Sequence, residues 1–364
     1  MKFTLSETAI SIKRRFLLFM FIFISVSAHS NTLLQSDSLQ HEPSQKAKKT
    51  NIFNRTIKYL GKMLEQDPFY VRPHRFNMTL MPQYTYGYDY YRFSAKDKDQ
   101  SISIIPSSNN KIGLYIGWEC FSVGYSVTLN KIQPEFDMEM SFFASRGGIE
   151  LFYRKRSDGF RISNLKGFTE NDMPLTNYNK EFEGLSVSQL GANLLYVFNY
   201  KKFSFPAAYS QKTSQRISAG SFILGLSYNK QRFMFDHTAI DPKIESLMLP
   251  ELKFQNINYI DLSINFGYSY NLVFAKNFLA NISVSPAIGY KNTSLKSIYN
   301  SKEFISNINF DLISRLALVY NNGKYYAGAS IVSHRYSYIE PTISIENSFG
   351  YIKVYAGFNF WRNK

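Results

Sequence analysis

From about residue 75 to the C-terminus the chain alternates between apolar and polar residues with a period of two. In 260–271, Ile260, Leu262, Ile264, Phe266, Tyr268 and Tyr270 are separated by Asp261, Ser263, Asn265, Gly267, Ser269 and Asn271. Residues 121–130, 218–229, 278–290 and 350–361 repeat the pattern. An extended strand sends successive side chains to opposite faces, so this region reads as a sheet with one apolar and one polar face. Its segments run for about 10–16 residues, whereas strands of water-soluble proteins average about 5–6. A tilted strand needs about 9–11 residues to cross a bilayer. The polar face is rich in Ser, Asn and Gly, which suits a hydrated interior. Tyr and Phe gather at strand ends, as in Tyr84–Tyr91, where an aromatic girdle would lie.

The connections decide how such strands assemble. Short turns near 118–120, 145–148, 272–277 and 321–324 alternate with longer polar stretches at 94–100, 158–184, 230–256 and 292–304. Short turns at one end and long loops at the other describe an outer-membrane barrel, and Asn322-Gly323 is a two-residue hairpin signal. Strands are expected over 75–92, 100–118, 121–130, 135–144, 148–157, 185–199, 213–229, 257–271, 277–291, 305–320, 324–338 and 343–360. The expected fold class is therefore all-β: a transmembrane antiparallel β-barrel of about 12 strands with a short N-terminal periplasmic extension. An even count puts both termini in the periplasm. The last strand carries Ile352, Val354, Ala356, Phe358 and Phe360 on one face, the C-terminal pattern that the barrel assembly machinery reads.

Composition narrows the alternatives. The single cysteine, Cys120, excludes an internal disulfide framework and a four-cysteine zinc site. With 45% hydrophobic residues, global disorder is excluded. The slightly negative mean hydropathy argues against a bundle of membrane-spanning helices. The 27 Tyr and 32 Phe beside 2 Trp suit a protein that lies across two membrane–water interfaces. At the N-terminus, Lys13-Arg14-Arg15 precede the apolar run Phe16–Ala28, so residues 1–28 read as a signal peptide cleaved after Ala28. Cleavage removes Lys2, Lys13, Arg14, Arg15 and Glu7, four cations and one anion, and takes the net charge from +15 to +12. Residues 29–66 read as a periplasmic linker and a short amphipathic helix carrying Phe53, Ile57, Leu60 and Leu64, and residues 67–364 as the barrel domain. Asp37-Ser38-Leu39 in the linker matches a short O-glycosylation acceptor pattern. In an exported chain the basic balance points to outer-membrane lipids and lipopolysaccharide phosphates as partners, not to nucleic acid.

Two groups of residues merit attention as chemistry. Asp236, His237 and Asp241, at the outer end of a strand, supply an acid and a base for a peptidase of the barrel type. His334 is placed on the inner face if Ala327, Ala329 and Ile331 face lipid. The competing interpretation of all four is loop and lumen solvation. The second group is Asp137, Glu139, Glu150, Arg154 and Arg156 on the polar faces of adjacent strands, where opposite charges pair across the ladder. Arg315 and Lys353 belong to the same interior. Such a group is either a network filling a narrow lumen or a charged constriction that selects solutes. No phosphate loop, zinc-ligand spacing or nucleotide fingerprint is present, so no cofactor or metal is expected.

Four stretches carry a family resemblance: Asp67–Pro73 followed by Phe76-Asn77, Lys111–Trp118, Ile149–Arg154, and Phe203–Gln211 leading into Ser218–Ser221. Through them the chain resembles domain of unknown function 4421 over about residues 67–361. The resemblance implies an outer-membrane β-barrel of Bacteroidota and implies no activity. The expected function is a non-enzymatic narrow channel or envelope scaffold in the outer membrane. The alternatives are a membrane-embedded lipid or peptide hydrolase and a secreted β-rich binding protein, which would need a closed apolar core.

Overall fold

The computed structural model describes residues 65–95, 100–129, 136–157, 159–170, 173–174, 178–297, 303–339 and 343–362. The signal peptide, the linker with its glycosylation pattern and the amphipathic helix expected up to residue 66 lie outside the described residues, apart from Glu65 and Gln66.

Twelve strands form the wall. They are β1 (Phe76–Gly87), β2 (Asn110–Trp118), β3 (Phe121–Thr128), β4 (Phe136–Ala144), β5 (Gly147–Ser157), β6 (Leu185–Val197), β7 (Ala219–Phe235), β8 (Phe254–Ala275), β9 (Phe278–Ser297), β10 (Glu303–Asn321), β11 (Tyr325–Ile339) and β12 (Ile343–Arg362). Each pairs antiparallel with its sequence neighbours, and β12 closes on β1 from Phe76↔Arg362 to Gly87↔Tyr351. The expected class is what the chain adopts: an all-β, closed, twelve-stranded antiparallel barrel. β1 begins and β12 ends at the end that carries the short turns. One such turn is Asn322–Lys324, where the Asn322 side chain accepts from the amides of Lys324 and Tyr325 and Gly323 takes φ 96°, a left-handed conformation that costs glycine little.

The alternation is inverted relative to a soluble protein. On β8, Leu262 is 58% exposed and its neighbour Asp261 only 2%, and the same order persists to Phe274, with Ser269 and Asn271 buried and Phe266 and Tyr268 outside. An uninterrupted apolar belt of this kind faces lipid, because in water it would present a large exposed apolar patch.

The wall is not the same along its height. After Gly87 the chain resumes as Tyr90–Ala95 in unchanged register against β12, and Ser101–Pro106 pairs with it as an upward continuation of β2. Ser101–Pro106 then pairs directly with Phe160–Lys166, the continuation of β5, which pairs with Lys180–Phe182 ahead of β6. The β3–β4 hairpin is thus a wedge that widens only the turn end. Above it the walls on either side zip together, starting at the bond from the Ser107 amide to the Gly159 carbonyl, 2.8 Å. Gly159 itself adopts φ 68°. With two strands excluded, the twelve-stranded wall narrows to ten at the loop end. The stretches 158–184 and 230–256, expected as polar loops, are therefore partly wall and partly core. On the other flank β10 continues to Glu303 and β11 to Ile339, but the ladder between them ends at Leu312↔Arg335.

Candidate functional site

The lumen changes character twice along its length. At the loop end it is apolar. The inward row of β7 runs Ser221, Asn229, Gln231 and then Phe233 and Phe235, both buried. These rings meet Tyr91, Phe93, Phe160, Phe182 and Phe254 from the neighbouring wall segments. Phe93 and Phe254 lie 5.0 Å apart between ring centres, and Phe235 and Phe254 stack at 4.7 Å. The 236–253 connection folds back over them and buries Ile240, Ile244, Met248 and Leu252. Gln100 holds it down, donating to the Leu247 carbonyl at 2.9 Å and accepting from the Leu249 amide at 2.8 Å. Tyr91, expected in an outer girdle, turns inward here instead.

Below this core lies a charged layer. The structure places Asp137 between Lys111 (2.8 Å) and Arg154 (3.4 Å), with Arg154 also 3.5 Å from Glu139 and Glu139 3.3 Å from Lys353. Glu150 meets Arg315 at 3.2 Å, across the lumen from β5 to β10. Arg156 stands apart from the other four, near Asp89 at 3.9 Å. Sequence reasoning missed Lys111 and Asp89. Lys111 sits on the polar parity of β2 and was open to the same argument, whereas Asp89 lies in the break after β1, where parity gives no guidance. A second polar group, Asp261, Lys291, Asn309 and Asp311, is buried on β8–β10; Asn309 donates to both carboxylates at 2.9–3.1 Å. Its members were visible as inward residues but are too widely separated in sequence to read as a cluster.

At the turn end the lumen is filled by the chain itself. Residues 198–218 leave β6, enter the barrel and return to β7. Pro206 starts the short helix α1 (Phe205–Tyr209), as suits a residue lacking the amide that a first helical turn leaves unpaired. Phe205 packs on Phe143 at 5.6 Å and under the guanidinium of Arg315 at 5.5 Å. Tyr209 donates to Asn281 at 2.6 Å. Gln211, at φ 59°, donates to Tyr355 at 2.9 Å and accepts from Asn321 at 3.3 Å. Gln215 is the hub: it donates to the carbonyls of Lys202, Ile217 and Tyr70, and accepts from the Ser204 amide and Asn271. Val71–Pro73 pairs with Thr213–Gln215 and ties the N-terminal approach to this plug. His74 bridges Asn359 and Ser214, at 3.0 Å on either ring nitrogen. Burial, helped by Arg72, pushes its pKa down to about 4, so it is a neutral ring at pH 7.

What remains open in the middle is small. A cavity of about 110 Å³ lies among Tyr115, Glu150, Arg315, His334, Tyr351 and Lys353, with smaller ones of about 50 Å³ beside Asp137 and about 30 Å³ beside Phe205.

The residues weighed for hydrolysis are not brought together. His334 faces the lumen and packs on Phe349 at 5.2 Å. His237 is in the loop-end connection, 3.2 Å from Glu245, which also binds Lys253 at 2.8 Å. Asp236 accepts from the amide and hydroxyl of Thr238 and so caps its own turn. Asp241 caps helix α2 (Pro242–Leu247) through the Lys243 amide and pairs with Lys180 at 3.0 Å. Among the described residues no group of His, Cys, Asp and Glu is arranged to hold a metal.

A family model described as "Domain of unknown function (DUF4421)" matches residues 65–360. No curated protein matches the sequence. Similar solved structures include the outer membrane protease OmpT of Escherichia coli (10% identity, 78% of this chain and 97% of that one, TM-score 0.37). The toluene transporter TodX of P. putida (7% identity, 79% and 91%, TM-score 0.26) and the translocator domain of the autotransporter NalP of Neisseria meningitidis (7% identity, 85% and 95%, TM-score 0.30) are others. The stretch Phe203–Gln211, on which the family resemblance is most distinctive, is the plug.

Proposed function

We propose that this chain, which belongs to the DUF4421 family, is a sealed, non-enzymatic barrel of the bacterial outer membrane: an envelope scaffold and not a diffusion channel. The observation that carries this is the filled lumen. An aromatic core, a charge layer and a chain plug follow one another, and the cavities among them are about 110, 50 and 30 Å³. A solute passing through would have to displace both ends.

The belt of exposed Leu, Ile, Phe and Tyr supports the membrane location, and the even strand count with both strand termini beside short turns supports a periplasmic turn end. The loop end then faces outward. There the outward row of β7 passes from Leu226 to exposed Lys230 and Arg232, at the level where lipopolysaccharide phosphates would sit. The charge layer fits a role inside the scaffold. Cross-strand ion pairs satisfy one another in a narrow interior, and a wall so cross-linked resists deformation.

Planar-bilayer recording of the folded full chain tests the proposal. Its folded state is verified by a gel mobility that changes on boiling. The expected result is no unitary conductance; a stable ohmic conductance in the unmodified protein would overturn the sealed-barrel reading.

A further inference from the structure

At the turn end, between the plug and the β8–β9 and β10–β11 turns, lies a second cavity of about 660 Å³. Six cations line it: Arg72, Arg75, Arg216, Lys276, Lys324 and Arg362. Among the described residues no carboxylate does. Elsewhere in the barrel cations and anions are matched closely, as Lys111, Arg154, Arg315 and Lys353 show. Here, among the described residues, no ion pair involves any of the six. All six are exposed, so water and salt screen much of their repulsion, and an anion placed within the hollow relieves what remains. Four of the six are arginines, whose planar forks suit two oxygens of one phosphate or carboxylate.

The walls decide which anion. Beside the cations the cavity is lined by Val273, Leu279 and Val319, and by Phe274 and Phe278 at its rim. Phe274 and Phe278 point outward, 55% and 39% exposed, with ring centres 5.8 Å apart, and Tyr320 lies 5.0 Å from Phe278. The Lys324 ammonium sits over the exposed Tyr325 ring at 5.2 Å. Aromatic rings with cations beside them mark the headgroup level of a bilayer. The hollow is bordered across the 275–277 turn by outward rings at the level of a leaflet's phosphates, an apolar rim on its membrane side. A soluble anion needs the cations only, whereas a phospholipid uses the rim as well.

We propose that this cavity is a binding site for an anionic phospholipid of the inner leaflet, its phosphate held by the arginines and its glycerol–acyl end resting on Phe274 and Phe278. The choice of leaflet rests on the orientation given above. The sealed lumen does not bear on it, since one is read as conductance and the other as bound lipid, so the two fail separately.

The test uses the full chain in detergent, titrated with dihexanoyl-phosphatidylglycerol, dihexanoyl-phosphatidylcholine and glycerol 3-phosphate, with bound ligand counted by native mass spectrometry. The phosphatidylglycerol is expected to bind at one site. Arg216→Gln with Arg362→Gln should weaken it by about tenfold or more, while the equal charge change Lys230→Gln with Arg232→Gln at the far end should not. Unchanged boiled and unboiled gel mobilities verify that both variants are folded. Equal binding of the zwitterionic lipid, or equal loss in the far-end variant, would overturn an anion pocket. Glycerol 3-phosphate binding as tightly as the lipid would overturn the lipid and leave a soluble phosphate ester as the occupant.

Discussion

The two ends of the lumen are filled by different means. The loop end is filled by rings: Phe93, Phe160, Phe182, Phe233, Phe235 and Phe254 are almost wholly buried and pack mainly on one another, with the Arg156 guanidinium over the Phe160 ring at 5.6 Å. The turn end combines both kinds of contact: Phe203 and Phe205 pack with Phe143, Leu195 and Val197, Ala207 and Ala208 with Leu279 and Val319, and Gln211, Gln215, Asn271, Asn281 and Asn321 add side-chain amide bonds between plug and wall. An apolar seal gains from every square ångström it removes from water and has no cheap intermediate, because partial opening wets the whole cluster. A polar seal exchanges each bond for one to water at a net cost of only about 0.5–1.5 kcal/mol. The contrast places the larger share of exchangeable polar contacts at the plug.

Phe233→Ala should have the largest effect, about 3–5 kcal/mol lost, since it leaves a cavity in a core fixed by wall strands on several sides; urea unfolding in detergent measures it. A loss below about 1 kcal/mol would mean that the core is loosely packed. Gln215→Ala should cost less, about 1–3 kcal/mol, by orphaning the Ser204 amide and the carbonyls it now satisfies. Unlike Phe233→Ala, it should also produce intermittent conductance as the plug loosens, and silent bilayers would show that the plug is as firm as the core. Gly159→Ala forces a side chain into φ 68° at the point where the wall zips above the β3–β4 wedge. About 1–2 kcal/mol is expected, seen as a lower urea midpoint, and an unchanged midpoint would show that the zip does not depend on that conformation.

The smallest expected effect is on the outer cap, through pH. The hydrogen bond from Lys180, with help from the Lys243 amide, holds the Asp241 carboxyl below its ordinary range, and the bond from Lys253 does the same for Glu245. A carboxyl whose folded pKa is depressed adds stability above its unfolded pKa and loses it as pH falls through the folded value. The protection of 236–253 against hydrogen exchange, corrected for the intrinsic rate at each pH, should therefore fall as pH drops through and below the usual carboxylate range and be flat from there to neutrality. Both groups are at the surface, where screening keeps such effects small.

The wall was legible in the sequence because period two is a local signal. The twelve expected strands fall on β1–β12, although 213–229 was placed about six residues early at both ends. The core at the loop end left a mark as well. Through Tyr228 the outward parity of β7 is apolar; at Lys230 and Arg232 it turns polar while Phe233 enters the inward parity. A phase flip of this kind is where a strand leaves the bilayer and starts to enclose something, yet it resembles the onset of a loop. The zip of Ser101–Pro106 onto Phe160–Lys166 left no mark, because it depends on skipping a hairpin of matching pattern.

The sequence by itself determined that the chain would be a barrel, which residues face lipid, about how many strands there are and that charges line the interior. These follow from alternation and length, properties of each strand alone. Only the tertiary structure decided what fills the lumen. Residues 198–218 have no periodicity, and their bonds reach from Gln211 to Tyr355 and from Tyr209 to Asn281. Such contacts exist only once the wall has closed and brought β9 and β12 around the same segment.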